Sequence, residues 1–133
     1  MTFCVWGLAF KPGTDDVREA PSLVTVKALT ERGAKVHAYD PEAINTFQLA
    51  LADEDGRIED VSYFSNAVRA LAGADALIVL TEWKEFWQPD FKMIAQMLRH
   101  RVIFDGRNIY EPDVLAEYGI DYFAIGRGLS LAR

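Results

Sequence analysis

Two stretches of the sequence gather residues able to meet anions and hydroxyl groups. The first, "GLAFKPGTDDVREAPS" at 7–22, holds Lys11, Asp15, Asp16, Arg18 and Glu19, with few bulky apolar residues after Phe10. The second, "FDGRNIY" at 104–110, holds Asp105, Arg107 and Asn108. Arginine offers paired oxygens a planar fork and lysine offers a compact point charge, so Lys11 and Arg107, brought together, would meet an anion or a set of sugar hydroxyls. The acids also have plainer uses. Asp15 and Asp16 suit the cap or first-turn dipole of a following helix. Arg18 and Glu19 suit a surface ion pair. Asp40, in "HAYDP", lies where a dinucleotide-binding fold carries its ribose-holding acid, but Asp-Pro is also a turn former. The turn role is expected. "GLAFKPG" is not G-x-G-x-x-G, and Pro12 removes a backbone N–H where phosphate donors would be wanted.

The sequence lacks a P-loop, a G-x-S-x-G nucleophile turn and a set of residues at metal-ligand spacing. His37 in a strand and His100 at a helix end do not suggest a catalytic pair. Trp83, Phe86 and Trp87 are expected to pack, and Cys4 to be an inert core residue. The pattern supports binding rather than unaided catalysis.

Strands must bring these residues together. Apolar runs at 3–8, 34–39, 76–80, 101–104 and 121–125 read as five strands. Helical patterns at 21–33, 42–53 and 65–71, within 83–98 and at 112–118 separate them. Pro21 suits a first helical turn, Gly33 the position after the helix end, and Ser65 or Asn66 an N-cap. Continuous rather than alternating apolar strands imply a sheet covered on both faces. The expected fold is α/β: a doubly wound, mostly parallel Rossmann-like sheet with helices on both faces. Ligands gather at the carboxyl ends of such strands. That is where Phe10, Lys11, Thr14, Asp40, Thr81, Glu82, Trp83 and Arg107 fall.

The 133 residues suit one domain, and 50% hydrophobic content allows a sizeable core. A net charge of −6 argues against nucleic acid as a partner. A single cysteine permits no internal disulfide, and no secretion signal or run of roughly 20 apolar residues is present. A cytoplasmic, non-membrane setting is expected. Met1 leads almost directly into a buried strand, an abrupt start for a complete protein.

"GLAFKPGTDDVREAPS", "HAYDP", "LTEWKEF", "IFDGRNIY" and "YFAIGRG" resemble, in order and spacing, the C-terminal domain of the UDP-glucose 6-dehydrogenases, bacterial type, within the UDP-glucose/GDP-mannose dehydrogenase family. The resemblance implies a UDP-sugar-binding domain over 1–133. Its partners would be the absent N-terminal NAD-binding domain and a central domain bearing the catalytic cysteine. It implies that Phe10, Lys11 and Arg107 contact UDP-glucose and that Arg18 approaches the NAD cofactor. It also implies that the whole enzyme is a homo-oligomer which oxidises UDP-glucose to UDP-glucuronate for polysaccharide biosynthesis. Cys4 does not match the catalytic cysteine, so the chain alone is expected to be inactive. A related GDP-mannose or UDP-N-acetylmannosamine dehydrogenase domain is the nearest alternative, and a standalone non-catalytic interaction module a more distant one. A phosphoacceptor domain fits poorly, because no aspartate ends the "ALIVL" strand.

Overall fold

The computed structural model describes residues 1–124. Its strands are β1 Thr2–Trp6, β2 Lys35–Tyr39, β3 Val61–Tyr63, β4 Ala76–Val79, β5 Val102–Asp105 and β6 Asp121–Ala124. They form one sheet, ordered β3-β2-β1-β4-β5-β6, in which every pairing is parallel. The helices are α1 Pro21–Glu31, α2 Ile44–Asp53, α3 Ala67–Leu71, α4 Phe91–Met97 and α5 Pro112–Glu117.

Strand alternation builds two cores. Val5, Val36, Ala38 and Ile78 point to one side and pack with Leu23 and Val26 of α1 and Phe47 and Leu51 of α2. Cys4, Trp6, Leu77, Val79 and Ile103 point to the other and pack with Leu71 of α3, Ile94 of α4 and Leu115 of α5. The expected doubly wound fold is therefore the observed one. Cys4 is fully buried, and that burial raises its thiol pKa, as befits an inert core residue.

Three readings need correction. The sheet has a sixth strand, β3, which the sequence hides because a three-residue edge strand is too short to display a period. Neither Asp15 nor Asp16 caps α1. Its N-cap is Ala20, without a side-chain bond, and Pro21 opens the helix. Arg18 pairs with Asp16 rather than with Glu19. Of the two candidate caps for α3, Asn66 acts, accepting from the N–H groups of Val68 and Arg69. The expected end of the last strand at Ile125, and most of "YFAIGRG", lie outside the described residues.

The strand order fixes where a ligand can enter. From β1 the chain winds outward to β2 and β3, then crosses to β4 on the other side of β1. The carboxyl ends of β1 and β4 therefore flank the topological switch point, where open α/β sheets leave a crevice.

Candidate functional site

Two buried aspartates shape the loops around that crevice. Asp40 follows β2. Its Oδ1 accepts from the N–H groups of Glu42 and Ala43, both at 2.8 Å. Its Oδ2 accepts from the N–H groups of Leu8 at 2.7 Å and Ala9 at 3.0 Å, and from Trp83 Nε1 at 3.0 Å. One carboxylate thus ties the loops after β1, β2 and β4 together. The turn role expected for Asp40 is present, but it is half of what the residue does.

Asp105 ends β5 and is fully buried. Its Oδ1 accepts from the N–H groups of Arg107 and Asn108 at 2.8 and 2.9 Å. Its Oδ2 accepts from those of Ile109 and Tyr110 at 2.8 and 3.2 Å and from the Tyr122 hydroxyl at 2.6 Å. The chain curls around this carboxylate, which supports the left-handed backbone of Asn108 at φ 59°. Arg107 leaves the curl with its backbone fixed.

The β1–α1 loop is tied at its base. Gly7 donates to Tyr39 O at 2.8 Å, Ser22 Oγ donates to Leu8 O at 2.7 Å and Thr81 Oγ1 donates to Ala9 O at 2.7 Å. A bond of 2.7 Å from Phe10 N–H to Asp16 O closes the loop on itself. Phe10 and Lys11 are exposed at its tip. Asp15 accepts from Thr46 Oγ1 at 3.1 Å, bracing the loop against α2. A groove of about 460 Å³ runs beside it, lined by Gly13, Thr14, Asp15, Glu42 and Trp83.

Each arginine singled out in the sequence has a carboxylate partner. Arg18 Nε and Nη2 donate to Asp16 at 3.1 and 3.0 Å. Those side-chain bonds, with the Arg18 backbone N–H and the charges of Arg18 and Lys11, bring the Asp16 pKa down to about 2. Arg107 Nε and Nη2 donate to the two oxygens of Glu82 at 3.2 and 3.0 Å. Desolvation pushes the Glu82 pKa up, but the bonds and charge of Arg107 together with a backbone N–H outweigh it, and the net shift is downward.

Phe10, Lys11 and Arg107 therefore lie at one edge of the sheet, on loops after β1 and β5, with the β4 loop and Glu82 between them. Arg18 lies further along the β1–α1 loop with an 88% exposed side chain. Trp83 and Phe86 pack as expected, Phe86 stacking on Trp6 at 5.0 Å between centroids. Trp87 does not. It is half exposed and donates to Glu82 O at 3.1 Å.

The sequence did not disclose the Glu82–Arg107 pair or the Trp83–Asp40 bond. The one available signal was that all four residues end or follow strands.

The first loop is not built to hold a dinucleotide in the usual way. In that mode a glycine-rich first loop presents its N–H groups to the pyrophosphate. Here the Leu8 and Ala9 donors are engaged by Asp40, and Pro12 has none. Among the described residues no three His, Cys, Asp or Glu side chains are grouped to hold a metal ion, and no helix is long and apolar enough to cross a membrane.

Residues 4–112 match the sequence model described as the UDP-glucose/GDP-mannose dehydrogenase family, UDP binding domain. A UDP-glucose 6-dehydrogenase of Pseudomonas aeruginosa is 48% identical over 126 residues, covering 95% of this chain and 28% of the relative. Among solved structures, a UDP-glucose dehydrogenase from Pyrobaculum islandicum is 32% identical with a TM-score of 0.70, covering 92% of this chain and 24% of its own. A UDP-D-ManNAc dehydrogenase from Pyrococcus horikoshii is 31% identical with a TM-score of 0.70, covering 95% and 25%. The chain spans little more than a quarter of the length of the curated relatives it matches.

Proposed function

The chain belongs to the UDP-glucose/GDP-mannose dehydrogenase family, to its UDP-binding domain, and we propose that it serves as the substrate-binding domain of an NAD-dependent UDP-glucose 6-dehydrogenase. The observation that carries this reading is the 48% identity to such an enzyme over 126 residues, and the placement of Phe10, Lys11 and Arg107 on loops at the carboxyl ends of β1 and β5 is consistent with it. Lys11 and Arg107 supply positive charge for the diphosphate or hydroxyls of UDP-glucose, and Phe10 supplies an apolar face. Arg18, outside the crevice, approaches NAD held by another domain. The oxidation of UDP-glucose to UDP-glucuronate belongs to the whole cytoplasmic homo-oligomer. The N-terminal and central domains supply its cofactor site and nucleophile.

The test is a titration of this 133-residue chain with UDP-glucose, followed by NMR. With part of the site on other domains, a dissociation constant of about 1 mM, near −4 kcal/mol, is expected. Lys11→Ala and Arg107→Ala should each weaken binding roughly tenfold, since each removes a charge-assisted contact. Unchanged affinity in both variants, or no binding by the unsubstituted chain, overturns the reading. With NAD and UDP-glucose together the chain should form no NADH. Steady NADH production would overturn the division of labour between domains. UDP-N-acetylmannosamine belongs in the same titration, because the Pyrococcus enzyme is similar to the same degree as the Pyrobaculum one. Tighter binding of that sugar would move the assignment within the family.

A further inference from the structure

We infer that Glu82 is a positioning residue for Arg107, fixing one edge of its guanidinium so that the other edge meets the ligand. The inference rests on the UDP-sugar reading above and adds to it a residue outside the direct contacts. Glu82 takes the Nε and Nη2 hydrogens of Arg107 side-on, one carboxylate oxygen to each. A guanidinium has five N–H donors, so three remain. They include both hydrogens of Nη1, which has no hydrogen-bond partner among the described residues. The Nη1/Nη2 edge matches two oxygens of a phosphate or of neighbouring hydroxyls.

Both ends of the pair are anchored. The Arg107 N–H is held by Asp105. Glu82 stands between Thr81, bonded to Ala9 O, and Trp83, bonded to Asp40, while Trp87 Nε1 holds the Glu82 carbonyl. The two side chains are 32% and 33% exposed, enough for ligand to reach the arginine and enough burial to keep the pair ordered.

A double-mutant cycle on this chain, read by UDP-glucose titration, tests the role. Glu82→Ala should weaken binding roughly tenfold, equal to 1.4 kcal/mol, and Glu82→Gln, which keeps one acceptor, by less. The Glu82→Ala/Arg107→Ala double variant should bind no more weakly than Arg107→Ala alone, because Glu82 acts only through Arg107. A structural role elsewhere would instead make the losses add. The Arg107 Nε–H resonance should shift in Glu82→Gln while the remaining spectrum stays in place. That variant, being isosteric, carries the test if Glu82→Ala unfolds. Additive losses, or equal or tighter binding by Glu82→Gln, overturn the inference. If the unsubstituted chain binds no UDP-glucose, the UDP-sugar reading fails and this inference with it. If it binds and the cycle shows no coupling, only this inference fails.

Discussion

Asp105 is the residue on which most of the site's geometry depends, although it reaches no ligand in this reading. Four backbone N–H groups and the Tyr122 hydroxyl converge on one fully buried carboxylate. Removing the carboxylate strands several buried donors at once, and each unsatisfied group costs about 1–3 kcal/mol. Asp105→Ala should therefore lower stability by roughly 3 kcal/mol or more in urea denaturation. Glu31→Ala, on an exposed helical surface, should change it by about 0.5 kcal/mol or less. A small loss for Asp105→Ala would show that the loop finds other partners. "DGRN" marked a polar turn in the sequence, and Arg107 as its chemical residue, but not what Asp105 does. The donors that define that role are backbone amides, which every residue except proline carries. Asp40 escaped full reading for the same reason: its turn bonds are local, whereas Leu8, Ala9 and Trp83 lie more than 30 positions away. Types were legible at this scale; partners were not.

At the scale of elements, the first loop depends on how closely it approaches the one after β4. Gly7 has φ 101°, and a Cβ there would lie 2.5 Å from Thr81 N and 2.6 Å from Thr81 Cβ. Gly13, in the same loop, has φ 86° with nothing within 4 Å of a Cβ. The two glycines separate a conformational cost from a steric one. Gly13→Ala should lose about 1–2 kcal/mol, the strain of a left-handed residue. Gly7→Ala carries that strain and must also push the β4 loop from β1, so it should lose clearly more and weaken UDP-glucose binding as well. Equal losses in thermal unfolding would mean that the crevice floor yields easily. The longer elements were legible because their apolar residues repeat over several turns or fill a whole strand. β3 was not, since its place at the sheet edge is set by pairing with β2, through Val36 and Val61, rather than by any pattern of its own. The start of α1 was legible through Pro21, whereas the acids before it were assigned to a cap. Their actual partners are Arg18 and Thr46.

For the whole molecule, double winding followed from continuous rather than alternating apolar strands, and the burial it produces sets how stability responds to alkali. Burial raises the Tyr63 pKa to about 12. Burial and then the charge of Asp105 raise Tyr110 further, and burial alone raises the Cys4 thiol. In the unfolded chain these groups lose protons near their ordinary values of 10.0 for tyrosine and 9.0 for cysteine. Above those values the unfolded chain binds fewer protons than the folded one, so the free energy of unfolding falls as pH rises. The contribution is complete below about pH 9 and is lost progressively as pH climbs toward the folded-state values. Urea midpoints measured from about pH 7 to about pH 11 should stay nearly level at first, decline beyond about pH 9 and steepen beyond about pH 10. Tyr63→Phe removes one of the responsible groups and keeps the ring, so its decline should be shallower. A midpoint that holds or rises to about pH 11 would mean that these side chains reach water in the native state, contrary to the two-sided core. An unchanged slope in Tyr63→Phe, with the decline otherwise present, would assign the effect to the face of the sheet covered by α3, α4 and α5, where Cys4 and Tyr110 lie in one cluster.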